Sequence, residues 1–316
     1  MREKIIITGG SGFIGTNFIE RYSDIYSIHN IDKNPPRNKT HFRYWINQDI
    51  TNLTEMQSII KNINPKFIIH LAARTDLKGK SAADYIDNTV GTQNLICAVK
   101  GSSHCERIIF ASSKFVVPNG YSQKHIYDYR PNTVYGASKV EMERLIRSSN
   151  IEQTWCILRP TSIWGEWFDQ PYKEFFNRVL SGNYVNFTGN SALKTFGYVG
   201  NTVFQIKSIL EADDTLIDRS VFYLGDYDKI TVNEWATKIA IHNNGRIINL
   251  PILTLRTFGY IGDILNKLGL SFPVSSFRVK NMTTDCVNDL TSTMQAAPNL
   301  PYSIAQGIRN TVRWLR

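Results

Sequence analysis

Short apolar runs alternate with helix-periodic segments through the first half of the chain, and this alternation constrains the fold more than any other feature. The runs are Ile5–Thr8, Ser27–Ile31, Phe67–Leu71, Arg107–Ala111 and Trp155–Leu158. Between them, Leu53–Lys61, Tyr85–Lys100 and Gly136–Ser148 carry apolar residues at helical spacing. Parallel strands need long crossovers, so repeated strand–helix–strand units predict a parallel sheet covered on both faces. The expectation is an α/β, doubly wound domain over residues 1–165, with part of 190–220 returning to it. Past Gly165 the alternation stops. Aromatic, turn-rich stretches (WGEWFDQPYKEFF, SGNYVNFTGN), a strand at Val221–Leu224 and a helix at Val232–His242 predict a smaller α+β lobe over 166–316.

Composition narrows the class. A chain of 316 residues with 42% hydrophobic content can bury a large core. No run reaches the roughly twenty apolar residues of a membrane span. The segment Ile252–Gly269 is apolar, but Arg256, Asp263 and Lys267 interrupt it, which predicts an ordinary packed helix and no membrane partner. MREKIIITGG enters a strand without an apolar leader, so a cytoplasmic location is expected. Cys97, Cys105, Cys156 and Cys286 form no C-x-x-C pair and no ligand spacing with the histidines, so neither metal nor disulfide is expected. The formal charge of +9 is scattered and accompanies no recognition helix, which argues against nucleic acid and leaves anionic small molecules.

The stretch ITGGSGFIG places Gly9, Gly12 and Gly15 directly after the first strand. Glycine lets a ligand's phosphates approach the main chain at a helix N-terminus, where N–H groups stand unpaired. Asp32 ends the second strand seventeen residues after Gly15, where a dinucleotide fold accepts hydrogen bonds from the adenosine ribose. Two further stretches add chemistry. IIFASSKFV ends a strand in Ser112-Ser113, and PNTVYGASK sets Tyr135 and Lys139 on one helical face, with Asn132 available as its cap. A phenol titrates near pH ~10 in water, and a neighbouring ammonium favours the phenolate, so Lys139 is expected to make Tyr135 usable as an acid/base.

Together these residues resemble the extended short-chain dehydrogenases/reductases, the NAD-dependent epimerase/dehydratase family of nucleotide-sugar enzymes. The likeness runs through TGGSGFIG, Asp32, Gln48-Asp49-Ile50, His70–Ala73, Asn88-x-x-Gly91-Thr92, Ser112-Ser113, Tyr135-x-x-x-Lys139, Leu158-Arg159-Pro160 with Gly165, and SIAQGIRNTVRWL. It implies a Rossmann domain with a substrate-binding lobe and NAD as cofactor, NADP remaining open because Lys33 and Arg37 follow Asp32. Gly9, Gly12, Phe13, Ile14 and Gly15 would hold the pyrophosphate, Asp32 the ribose, and Asp49 and Ile50 the adenine. Leu71, Ala72 and Ala73 would line the dinucleotide channel, with Pro160 beside the nicotinamide. Tyr135 would be the acid/base, Lys139 would also hold the nicotinamide ribose, and Ser113 would bind the reacting sugar oxygen. Ser162, Lys194 and Arg278 would contact a nucleotide-sugar substrate. Family members often pair through two helices, and Leu95, Val99, Val140 and Met142 are compatible with such a homodimer or with core packing.

The departures from the pattern narrow the reaction. Val116-Val117-Pro118 replaces V-Y-G, Ser162 replaces an asparagine, and Lys194-Thr195-Phe196 precedes Val199-Gly200-Asn201 where V-D-D is usual. The family's 4,6-dehydratases place an acid after the catalytic Ser/Thr, whereas this chain has Lys114-Phe115, which disfavours dehydration. The expected activity is a 4-epimerase working by transient C4 oxidation. The alternatives are an NAD(P)H-dependent 4-ketoreductase of surface-polysaccharide sugars and an idle NAD-binding scaffold, the latter opposed by an intact Ser113, Tyr135 and Lys139.

Overall fold

The structure, a computed structural model, describes residues 2–243, 246–270 and 276–316, with the backbone alone at Arg256, Phe277, Arg278 and Asn281. In chain order the first half comprises β1 (Lys4–Thr8), α1 (Phe13–Tyr22), β2 (Ser27–Asp32), β3 (Trp45–Asn47), α2 (Leu53–Ile63), β4 (Phe67–His70), α3 (Ile86–Val99), β5 (Arg107–Ala111), α4 (Val134–Ser148) and β6 (Thr154–Pro160). The second half adds β7 (Ser162–Trp164), α5 (Tyr172–Leu180), β8 (Tyr184–Thr188), β9 (Leu193–Lys194), β10 (Phe196–Tyr198), α6 (Val199–Glu211), α7 (Asp214–Ile217) and β11 (Ser220–Leu224). It closes with β12 (Ile230–Thr231), α8 (Val232–Ala240), β13 (Ile247–Pro251), α9 (Ile252–Lys267), α10 (Ser276–Thr283), α11 (Thr291–Ala296) and α12 (Ile304–Leu315).

Seven strands form one parallel sheet in the order β11-β6-β5-β4-β1-β2-β3. β1 shows why its sequence reads as an unbroken apolar run. Ile5 and Ile7 point into the core that holds Phe18 and Ile19, and Ile6 points into the opposite core with Ile68 and Ile108. A parallel strand is covered on both faces and needs apolar side chains on each. The order reverses between β1 and β4, and ligands of such sheets bind outside the strand C-termini at that switch point. β3, only three residues long, has no sequence signal of its own, and β11 brings the chain back to the far edge of the sheet after the excursion through residues 162–198.

A largely buried aromatic cluster holds the second half together. Trp235 of α8 packs against Phe196 at 4.3 Å, Phe175 at 4.7 Å and Trp164 at 5.3 Å between ring centroids. Offset and edge-on rings of this size bury much apolar area, which fixes how α5, α8 and β10 sit over the strand ends.

For one pair of helices an open reading is decided for core packing, and for a further helix an expectation is corrected. Leu95, Val99, Val140 and Met142 are all buried within the single chain, at 0%, 0%, 3% and 0% exposure, because α2, α3 and α4 pack together over the sheet. They offer no surface for a partner. α9, expected to be an ordinary packed helix, buries Leu255 but leaves Leu253, Tyr260, Ile264 and Leu268 in water. Sequence spacing finds an apolar stripe without saying which face of the helix meets the protein.

Candidate active site

A cleft of about 640 Å³ opens at the switch point. Gly9, Gly12, Phe13, Ile14, Gly15, Asp32, Asp49, Ile50, Leu71, Ala72, Ala73, Ser113, Tyr135, Lys139 and Pro160 all line it. Sequence-distant candidates therefore converge on one surface.

The glycine turn has a conformational reason. Gly9 has φ +73°, and a Cβ there would stand 2.5 Å from Ala72 N. Only glycine allows this approach of the β1 and β4 ends. Gly12 N–H donates to Gly9 O at 3.0 Å, and Gly12 caps α1 without a side-chain bond. The first-turn N–H groups of α1, which helix geometry leaves unpaired, thus sit at the cleft wall formed by Phe13, Ile14 and Gly15. Such a cradle suits a pyrophosphate. Asp32 accepts from Ser11 N at 3.1 Å and Asn34 N at 2.9 Å, which fixes the carboxylate while leaving lone pairs for hydroxyl donors. Burial pushes its pKa up. Both cations that follow it are occupied. Lys33 Nζ pairs with Asp87 at 2.8 Å and Asp49 at 3.5 Å, and Arg37 pairs with Asp169 at 2.5 Å.

The opposite end of the cleft is built by β5 and α4. Ser113 follows β5, and its Oγ accepts from Phe115 N at 3.2 Å, capping a single 3₁₀ turn. The cap of α4 is Thr133, whose hydroxyl accepts from Gly136 N at 2.9 Å, not Asn132 as expected. Gly136 has its own steric role: a Cβ there would meet Phe115 O at 2.3 Å. The first turn of α4 therefore lies directly on the Ser113 turn, and this contact brings Tyr135 to Ser113.

Tyr135 and Lys139 are both buried, at 6% and 2% exposure. Burial raises the Tyr135 phenol to about 12, with the Ser113 hydrogen bond acting to lower it and Tyr85 to raise it. Burial lowers the Lys139 ammonium to about 7, opposed by the charge of Glu143. The expected direct depression of Tyr135 by Lys139 is not among these influences. Lys139 Nζ instead donates to Ala111 O at 2.8 Å.

Beneath the triad lies a buried ion pair that sequence reasoning did not single out. Arg159 Nε donates to Glu143 Oε1 at 2.9 Å and Nη2 to Oε2 at 2.7 Å, with both side chains fully buried. Ser112 Oγ and Tyr129 OH also donate to Glu143, at 2.5 and 2.8 Å. The signal available in the sequence was Lys139-x-x-x-Glu143, one helical turn apart. A second buried network runs from His70, whose ring meets Thr8 Oγ1 at 2.7 Å and Thr92 Oγ1 at 3.0 Å. It continues through Thr92 Oγ1 donating to Asn88 O and Asn88 Nδ2 donating to Ser138 Oγ, both at 2.9 Å. This ties β1, β4, α3 and α4 together under the cleft.

The substrate candidates behave differently. Ser162 and Lys194 do not line the cleft but join a polar cluster beside Ser113. Lys114 Nζ donates to Ser162 Oγ at 2.9 Å and approaches Cys286 Sγ at 3.3 Å, and that thiol reaches Asn119 Oδ1 at 3.0 Å. Lys194 Nζ donates to Thr284 O, and burial lowers its pKa, with the charge of Lys114 adding to the effect. Lys114 and Cys286 were not foreseen as members of this cluster, since Lys114 was read only for the acid missing at its position and Cys286 only as a thiol without a metal or disulfide partner. The side chain of Arg278 lies outside the described residues.

A parallel sheet with a glycine cradle at the switch point and a Ser-Tyr-Lys group across the cleft defines a dinucleotide-binding enzyme of the short-chain dehydrogenase type. Residues 5–225 match the model of the NAD dependent epimerase/dehydratase family, and the chain belongs to it. A 4-epimerase of N-acetyl-α-D-glucosaminyl-diphospho-ditrans,octacis-undecaprenol from Escherichia coli O157:H7 is 26% identical, matching 99% of this chain and 96% of its own length. Two solved structures share the fold. UDP-N-acetylglucosamine 4-epimerase from Methanobrevibacter ruminantium M1 has a TM-score of 0.76 at 20% identity, covering 100% of this chain and 99% of that one. The UDP-glucose 4-epimerase of Thermus thermophilus, solved with NAD, has a TM-score of 0.73 at 19% identity over 99% of both chains.

Proposed function

We propose that this chain is an NAD-dependent 4-epimerase of a sugar carried on a diphosphate, with a nucleotide as the carrier. The observation that supports this most is the convergence of Ser113, Tyr135 and Lys139 on the cleft whose other end is the Gly9–Gly15 cradle, with Lys114-Phe115 supplying no acid for dehydration. The cradle and Asp32 fit NAD, and the pairing of Lys33 and Arg37 with acids leaves a 2′-phosphate poorly served. When bound, the oxidised nicotinamide supplies a hydride acceptor and a positive charge.

Tyr135 would accept the proton of the C4 hydroxyl as the C4–H bond opens toward the hydride acceptor, so the proton and the two electrons each have a destination. Ser113 holds the same oxygen and supports the phenolate. Lys139 would hold the nicotinamide ribose. Burial raises the Tyr135 phenol to about 12, and the Ser113 hydrogen bond acts to lower it. Tyr135 would give the same proton back to the C4 oxygen once the sugar has turned in the pocket and the C4–H bond re-forms on its other face. The net change is configuration alone.

A polyprenyl carrier is the second reading, favoured by the match of the E. coli O157:H7 relative over 99% of this chain. Mass spectrometry of the released cofactor, followed by product NMR with UDP-, GDP-, CDP- and dTDP-sugars and a polyprenyl diphosphate sugar, tests both carriers. The reading requires tightly held NAD and a C4 epimer without net oxidation. Stoichiometric consumption of NAD(P)H by a 4-keto sugar would replace it with the ketoreductase reading.

A further inference from the structure

We propose that α9 is a membrane-surface contact that lies flat on an anionic lipid leaflet. The helix presents its apolar side to water. Leu253, Tyr260, Ile264 and Leu268 are 69%, 70%, 60% and 70% exposed, and Ile261 joins them at 43%. Their spacing of seven, four and four residues, with Ile261 three before Ile264, places them along one stripe, while Leu255, Gly259 and Gly262 face the protein. Exposed apolar residues scattered singly need no explanation, but a contiguous stripe does. Among the described residues, seven of the nineteen large apolar side chains standing in water fall within 253–270.

The charge of the sequence that carries the stripe selects the occupant. Residues 238–282 contain Lys238, Arg246, Arg256, Lys267, Arg278 and Lys280 against the single acid Asp263, a net of +5 out of the chain's +9. The Asp263 carboxylate is itself engaged, accepting from Ser276 N at 3.1 Å. Two copies of so basic a segment repel each other, whereas an anionic leaflet attracts the cations of a segment whose apolar face inserts. No described helix is long and apolar enough to cross a membrane, so contact along the surface is the geometry left to α9.

The helix is also connected to the polar cluster beside Ser113. A Cβ on Gly259 would stand 2.9 Å from Val279 Cγ2, so α9 and α10 are in close contact. α10 runs into Thr284, which receives Lys194, and Cys286, which meets Lys114. Lipid contact thus orients the polar cluster beside Ser113 relative to the leaflet. The contact stands apart from the reaction at Tyr135, because vesicle binding is read without turnover.

Flotation of the NAD-loaded protein with phosphatidylcholine vesicles, with and without about one third phosphatidylglycerol, tests this. The wild type should float with the anionic vesicles, more weakly at high salt. The triple variant Leu253→Gln, Ile264→Gln, Leu268→Gln should lose binding by about tenfold or more, with NAD affinity and thermal unfolding unchanged. Absence of wild-type binding, or equal binding by the triple variant, overturns the proposal. So does light scattering that shows a wild-type dimer dissociated by the same substitutions, because the stripe is then an interface between copies.

Discussion

The two ends of the cleft are specified in different ways. The cofactor end is set by local backbone demands: Gly9 at φ +73°, Gly12 closing the turn, and Asp32 at the end of the neighbouring strand. Beyond the Ser113 end, the polar cluster proposed to meet the substrate is assembled from remote segments, with Lys114 meeting Ser162 48 residues away and Cys286 172 residues away. A conformation that only one residue type can adopt leaves a mark at that position. A contact between distant polar side chains leaves none until the fold is known. Substitutions should therefore separate the two ends cleanly, except at Tyr135, where they meet.

The largest effect is expected there. Tyr135→Phe should lower turnover by roughly 10²–10⁴-fold while NAD affinity, read by titration, is unchanged, because only the transferable proton is lost. Retained turnover would remove Tyr135 as the meeting point. Glu143→Ala should cost about 3–5 kcal/mol in urea unfolding, since it leaves the Arg159 guanidinium buried and unpaired. A much smaller cost would mean that the floor beneath both ends is held by something else.

Lys139 adds a pH dependence to stability. Its folded pKa is about 7, below the ordinary lysine value of 10.5. Between those values the unfolded chain holds a proton that the folded chain has released, so this group makes stability rise with pH. Relative to Lys139→Met, the wild type without cofactor should gain roughly 3 kcal/mol between pH ~7 and ~9.5 in urea unfolding. A difference independent of pH would place the ammonium in a better solvated setting.

The smallest effects test the separation itself. Asp32→Ala should weaken NAD by about 1.5–3 kcal/mol, and NADP by less, with the KM of the sugar substrate unmoved. Lys114→Met should do the reverse, raising that KM by up to about 1.5–3 kcal/mol while NAD affinity holds. If either substitution moved both quantities equally, the two ends would be one coupled unit.

The same contrast explains what the sequence made legible. Ile5, Ile6 and Ile7 announced a strand buried on both faces, and the Gly9 turn announced the cradle. The four-residue step from Tyr135 to Lys139 put both on one face of α4. Gly136 was read only as part of a motif, because its reason, the carbonyl of Phe115, comes from a different element. β3 was missed because three residues carry no period, and its pairing with β2 depends on the rest of the sheet. The outward stripe of α9 was misjudged for a related cause: periodicity fixes which residues share a face, and only packing decides where that face points.

The central claim, reversible C4 oxidation at Tyr135, is tested most directly by deuterium at C4 of the sugar that the protein turns over. With catalytic amounts of the purified protein, no added nucleotide cofactor and ordinary water, the account predicts that the C4 epimer carries the full deuterium label by NMR and mass spectrometry, and that Tyr135→Phe gives almost no product. Loss of the label to solvent, or product formed only as NAD(P)H is consumed, would contradict it.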